Sequence, residues 1–266
     1  MKTALIFPGQ GSQTIGMGYD FYSKYDVSKD IFERLNISIN KDLSNLIFFG
    51  DENDLLQTQN SQPAIMATSI AIFEALKYER LLSEESFDYV AGHSLGEYTA
   101  LVVNKSLKFE DSVKLLKFRS KAMQDSMPVG TGGMVALIGC SEDVIANVLS
   151  NSRKYGKIFI ANDNAKGQLV LSGEIGAIEY IVNNSKTLSI KRAIKLPVSA
   201  PFHCELISNA SLELSKEIPN YTFNHFTAPL YSNVTAQICN EREITDLLIN
   251  QIVCKNLSLL SVVFYR

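Results

Sequence analysis

Residues 88–98 read Asp-Tyr-Val-Ala-Gly-His-Ser-Leu-Gly-Glu-Tyr, a short apolar run followed by one serine set between two glycines. The spacing predicts a strand, a tight turn at Ser94 and a helix running through Tyr98, Leu101 and Val102. Gly92 and Gly96 are what such a turn demands, because strand and helix pass so close that a Cβ has no room there. The result is an α/β chain with Ser94 raised at the end of a strand as a candidate nucleophile. Ser94-Leu95-Gly96-Glu97 also fits a capping box, so the same serine can be read as a helix cap, although a cap needs neither glycine.

The 266 residues carry a net charge of -3 and permit one large domain or two unequal ones. Nothing in that charge suggests nucleic acid or an anionic membrane as a partner. The apolar run at residues 3–7 stops at Pro8-Gly9, too short for the core of a signal peptide, and no run reaches membrane-spanning length. A cytoplasmic protein is expected. Cys140, Cys204, Cys239 and Cys254 show no metal-ligand spacing and read as reduced, mostly buried thiols.

Residues 3–7 read as a buried strand, followed by the glycine-rich loop Phe-Pro-Gly-Gln-Gly-Ser-Gln at 7–13 and a helix over 17–25. A helical pattern covers 64–82. Another covers 111–127, with Val113, Leu116, Met123 and Met127 on its apolar stripe. Arg119 falls on that stripe. A structural ion pair, a snorkelling side chain and a buried anion site are the open readings. From 128 to 196 strands are expected at 134–139, 157–161, 168–172 and 190–196, with helices at 142–150 and 177–183. This β-α-β-β-α-β order matches a ferredoxin-like unit inserted into the larger α/β domain formed by 1–127 and 197–266.

A serine hydroxyl needs a general base, most often histidine. His93 neighbours Ser94 on the turn and cannot easily reach back to it. His225 lies in an alternating segment and reads as a satisfied, half-buried side chain. His203, in Ser-Ala-Pro-Phe-His-Cys-Glu-Leu after a proline-containing loop, is the candidate base. Asp125, Asp143 and Asp163 lie between serine and histidine, but none sits in an obvious loop after a strand. A backbone carbonyl is the alternative orienter of the imidazole.

Together, Phe-Pro-Gly-Gln-Gly-Ser-Gln at 7–13, Gln-Pro-Ala at 62–64, Gly-His-Ser-Leu-Gly-Glu-Tyr at 92–98, Arg-Ser-Lys-Ala-Met-Gln at 119–124 and Pro-Val-Ser-Ala-Pro-Phe-His-Cys-Glu-Leu at 197–206 resemble the malonyl-CoA:acyl carrier protein transacylase family. The resemblance implies a hydrolase-like α/β domain with an inserted ferredoxin-like subdomain. It makes Ser94 the nucleophile, His203 the base, the Gln10 and Leu95 amides the oxyanion hole, and Arg119 the partner of the malonyl carboxylate. An empty site would then leave that guanidinium unpaired. Gln62 and His93 fall at substrate-binding positions, Phe202 at the position that selects malonyl, and the carbonyl of Gln251 at the one that orients the histidine. Malonyl-CoA and acyl carrier protein are the implied partners of a monomer that needs no metal or cofactor. Lys186, Lys191, Arg192 and Lys195 form the densest basic stretch for an acidic carrier protein.

After Gln251 the family continues with a Pro-Val and aromatic segment, whereas this chain reads Ile-Val-Cys-Lys-Asn-Leu-Ser and onward. The resemblance implies that a final strand and helix are missing, with the apolar Leu257, Leu259, Leu260, Val262, Val263 and Phe264 placed to cover that gap or to worsen the exposure. Two alternatives stand beside the transferase: a serine hydrolase or thioesterase on the same scaffold, and an inactive remnant. Arg119 separates the first of these, since a hydrolase of neutral acyl groups has no use for a buried cation.

Overall fold

The computed structural model describes residues 2–198 and 200–257. The chain opens with β1 (Ala4–Phe7), α1 (Tyr19–Lys24), α2 (Asp26–Ile39), α3 (Leu43–Phe49), α4 (Glu52–Leu56) and α5 (Thr58–Tyr78). It continues through β2 (Tyr89–Gly92), α6 (Leu95–Val103) and α7 (Phe109–Asp125). There follow β3 (Gly132–Ile138), α8 (Glu142–Ser152), β4 (Ile158–Ala165), β5 (Gln168–Glu174), α9 (Ile175–Asn183), β6 (Arg192–Lys195) and α10 (Ser208–Glu217). The last elements are β7 (Leu230–Tyr231), β8 (Ile238–Cys239), α11 (Ile244–Gln251) and β9 (Asn256–Leu257).

Two compact units emerge. The first takes in the described residues of Met1–Lys121, Lys216–Ser232 and Gln237–Thr245. Its sheet runs β1-β2-β7-β8, with the first three strands parallel and β8 antiparallel to β7. Parallel strands need helical crossovers, and the long α5 supplies one between β1 and β2. Most of α5 is buried, whereas α7 follows the expected stripe, with Val113, Leu116 and Met123 all buried. Residues 3–7 depart from expectation. β1 is the edge strand of the described sheet, so Ile6 stays 58% exposed and only Phe7 is buried. A single apolar run cannot distinguish a central strand from an edge one.

The second unit gathers Ala122–Ser215, Asn233–Ala236 and the described residues from Asp246 onward. Its sheet order is β6-β3-β5-β4-β9. β3, β4, β5 and β6 pair antiparallel in the ferredoxin-like arrangement, with α8 and α9 in the order β-α-β-β-α-β. Val135, Leu137, Leu171, Ile178 and Ile181 form the centre of its core. Ser141 begins α8 as a cap, its hydroxyl accepting from the Val144 amide at 3.4 Å. Beyond the ferredoxin-like set, β9 adds a fifth strand parallel to β4, Asn256 opposite Asn162 and Leu257 opposite Asp163. Apart from Leu257, the apolar tail lies outside the described residues.

Candidate active site

In the first unit β2 lies between β1 and β7, and its last residue, Gly92, stands opposite Phe7 at the end of β1. The loops that follow both strands therefore leave the same end of the sheet, the end where α/β proteins place their ligands. They interlock through missing side chains. A Cβ on Gly92 would lie 1.9 Å from the backbone of Gly96, and one on Gly96 would lie 2.4 Å from the Phe7 carbonyl. A Cβ on Gly9 would meet His93 at 2.5 Å, while the His93 amide donates to the Phe7 carbonyl at 3.0 Å. These glycines set how closely the Gln10 loop approaches the turn at Ser94.

Ser94 sits at φ 53 and ψ -108, a conformation an L-residue rarely adopts. Its side chain makes no capping bond to α6, so the capping-box reading does not hold. The hydroxyl oxygen instead accepts from Arg119 Nη2 at 3.0 Å. Leu95, buried behind it, is the first residue of α6, where a backbone N–H has no acceptor within the helix's own ladder. Gln10 is held by its side chain, Nε2 donating to Thr58 Oγ1 at 3.3 Å.

Arg119 is wholly buried. Its Nη1 donates to Gln62 Oε1 at 2.8 Å, and its guanidinium carbon lies 5.4 Å from the centre of the Tyr98 ring. Burial pushes the guanidinium below its ordinary pKa, while Tyr98 and the buried Glu97 act in the opposite direction. Arginine nonetheless stays charged in proteins. The expectation of an unpaired guanidinium in an empty site is therefore corrected, because Gln62 and Ser94 hold it with neutral oxygens. Both of these acceptors are neutral oxygens, of the kind that a carboxylate can replace with a stronger, charge-assisted bond. Neither Tyr98 nor Glu97 was read from the sequence as a neighbour of Arg119; Glu97 entered only as the acid of the capping box and Tyr98 as a residue of the helix. Their signal was position: four and three residues after Ser94, they lie one helical turn from it.

The second unit holds the candidate base. His203 is buried at φ 59, and its Nδ1 lies 2.8 Å from the carbonyl oxygen of the fully buried Gln251 at the end of α11. A carbonyl only accepts, so Nδ1 carries a proton, and in the neutral ring Nε2 then holds the lone pair, the tautomer a general base requires. Phe202 is buried beside it. Asn256, which sequence reasoning missed, places Nδ2 3.1 Å from both ring nitrogens. Asp163 pairs with Lys255 at 3.1 Å, and Asp125 and Asp143 fall in the last and first turns of helices. His225 is a correction. Its side chain is 99% exposed and its Nδ1 lies 3.2 Å from Glu241, in a segment that forms no strand. The basic Lys186, Lys191, Arg192 and Lys195 are all exposed, Lys195 lying 3.5 Å from Glu179. All four cysteines are free thiols. Among the described residues no helix is long and apolar enough to cross a membrane.

The family model of the acyl transferase domain matches residues 4–257. The malonyl CoA-acyl carrier protein transacylase of Bacillus subtilis (strain 168) is 38% identical over 253 residues, 94% of this chain and 78% of that protein. The crystal structure of the acyl-carrier-protein-S-malonyltransferase from Bartonella henselae superposes with a TM-score of 0.93 at 36% identity, covering 99% of this chain and 84% of that one. A malonyl-transacylase solved in complex with its type II PKS acyl-carrier protein gives a TM-score of 0.92 at 32% identity, covering 99% of this chain and 85% of its own. With a match of this extent and these relatives along most of their length, the chain belongs to the malonyl-CoA:acyl carrier protein transacylase family of acyl transferases.

Proposed function

We infer that this chain transfers the malonyl group of malonyl-CoA to the phosphopantetheine thiol of acyl carrier protein, supplying fatty-acid synthesis, through a malonyl ester on Ser94. The observation that carries the reading is the buried Arg119 guanidinium held 3.0 Å from the Ser94 hydroxyl. A cation fixed beside a nucleophile suits an acyl group that ends in a free carboxylate, and gives nothing to the hydrolysis of neutral esters.

The steps follow from ordinary acyl transfer. His203 takes the Ser94 proton at Nε2 as Oγ attacks the thioester carbonyl, and the Gln10 and Leu95 amides stabilise the oxyanion. Collapse expels the CoA thiolate, which takes the proton from His203. In the second half the pantetheine thiol gives its proton to His203 and attacks the ester, and Oγ leaves with that proton. Arg119 exchanges its bonds to Ser94 and Gln62 for a two-pronged contact with the malonyl carboxylate. Gln62 and His93 line the substrate position, and the Phe202 ring disfavours an α-branched acyl group. The Gln251 carbonyl keeps His203 in the required tautomer.

The segment 128–196 acts as a subdomain inserted into the large catalytic domain of 1–127 and 197–266. Its exposed Lys186, Lys191, Arg192 and Lys195 suit an acidic carrier protein. A cytoplasmic monomer meets these needs. Intact-mass spectrometry after brief exposure to malonyl-CoA tests the reading. The wild-type chain gains one malonyl group, lost on adding the thiol of holo acyl carrier protein, and Ser94→Ala gains none. An adduct that persists in Ser94→Ala removes the assignment, and release of free malonate in place of transfer favours the hydrolase.

A further inference from the structure

Asn256 lies near the end of the stretch that the acyl transferase family model matches, and it is built into the second unit. Its strand pairs with β4 at Asn162, Lys255 holds Asp163 at 3.1 Å, and the Leu257 amide donates to the Asn233 carbonyl at 2.8 Å. Anchored on both sides, the Asn256 side chain is buried, with Nδ2 3.1 Å from both Nδ1 and Nε2 of His203.

An atom in the plane of the ring and equally close to both nitrogens would collide with the C–H between them. The amide therefore lies over the face of the imidazole, on neither in-plane nitrogen position. Whichever way the amide is turned, one polar atom faces the ring and the other is buried. As placed, Oδ1 has no hydrogen-bond partner among the described residues. An apolar side chain of the same size would fill the space without that cost.

We propose that Asn256 is a positioning residue for His203, its amide on the ring face and the Gln251 carbonyl on Nδ1 together fixing the rotation of the imidazole. A contact on the ring edge and one on the ring face together resist rotation about χ2 more than the edge contact does by itself. The consequence for malonyl transfer rests on His203 being the base, while the fixing of the ring does not.

The test uses the full chain with Asn256→Leu, which keeps the volume without the amide, and Asn256→Ala, with histidine nitrogen NMR and steady-state transfer to acyl carrier protein as readouts. In both variants the His203 Nδ1 proton exchanges with solvent about tenfold faster, and kcat falls about tenfold at unchanged KM, as expected for one modest polar contact acting after binding. Wild-type exchange and kcat in Asn256→Leu would leave the residue a mere space filler and overturn the proposal. Should Asn256→Leu not fold, Asn256→Ala is judged by the same exchange readout. His203→Ala separates the two ideas: retained transfer removes the base assignment, while the exchange measurement still decides the role of Asn256.

Discussion

Arg119 donates through Nη2 to the Ser94 hydroxyl at 3.0 Å while Gln62 holds its Nη1 at 2.8 Å, so the guanidinium and the candidate nucleophile are directly joined. The bond runs into the serine oxygen, so it takes up an acceptor position of the hydroxyl and not its proton. In the proposed reaction this arrangement presets the guanidinium for an acyl group with a terminal carboxylate.

The first prediction concerns that second role. Arg119→Ala should lower kcat/KM for malonyl transfer by roughly 2–5 kcal/mol, about 30-fold to several thousand-fold, the range for losing one partner of a buried charged pair. Acetyl transfer has no carboxylate to lose and should fall much less. Arg119→Lys should recover only part of the malonyl rate, because an ammonium cannot reproduce the planar fork. Parallel losses for the two acyl groups in side-by-side kinetics would remove the clamp.

Ser94 itself supplies a second test, since its backbone lies at φ 53 and ψ -108. Glycine adopts the mirror of a common extended conformation there without strain, and alanine does not. Both variants lose the hydroxyl and its bond to Arg119, so their difference isolates the backbone. Ser94→Gly should exceed Ser94→Ala in stability by about 1–2 kcal/mol, a thermal midpoint roughly 2–6 °C higher, with both inactive. Equal midpoints in calorimetry would mean the turn is not strained.

These residues show which parts of the site the sequence made legible. The turn was readable because Gly92 and Gly96 answer to a backbone approach that no side chain survives, whereas for Arg119 the apolar stripe marked an anomaly and left its role open. The ferredoxin-like order was readable because each short apolar run met a turn signal. Less was visible where a contact involves backbone or distant chain. The partner of His203 is the main-chain carbonyl of Gln251, which leaves no mark on residue identity, and only family resemblance pointed to it. Asn256 reaches the same ring from a segment 53 residues further along the chain, a distance at which no spacing signal links the two. For His225 the alternating pattern was misleading, because its segment forms no strand and leaves the ring in solvent.

That contrast between histidines gives the third prediction. His203→Ala should reduce the rate of Ser94 acylation by roughly 10²–10⁴-fold, the usual contribution of a positioned general base. His225→Ala, which removes an exposed ring lying against Glu241, should leave acylation within about twofold, the scale of a surface change away from such features. Quench-flow measurement of the malonyl adduct at fixed pH reads both. A large loss in His225→Ala together with a small one in His203→Ala would reverse the assignment.

The last prediction follows from Tyr98, whose ring lies beside Arg119. Burial drives its phenol up to about 12 from an ordinary value of 10.0, with Arg119 pulling it down and Glu97 adding to the rise. Below pH 10 the folded and unfolded chains both keep this proton and it has no effect on stability. From about 10 to 12 the unfolded chain releases it while the folded chain retains it, so stability falls as pH rises, by up to about 2–3 kcal/mol. The Cys239 thiol, pushed by burial to about 12, acts in the same direction. Tyr98→Phe removes only the phenol's share. Its stability relative to wild type should therefore be constant from pH 8 to 9.5 and improve by about 1 kcal/mol at pH 11, read from urea midpoints. Parallel curves through pH 11 would place the Tyr98 phenol near its ordinary value and remove burial as the force acting on it.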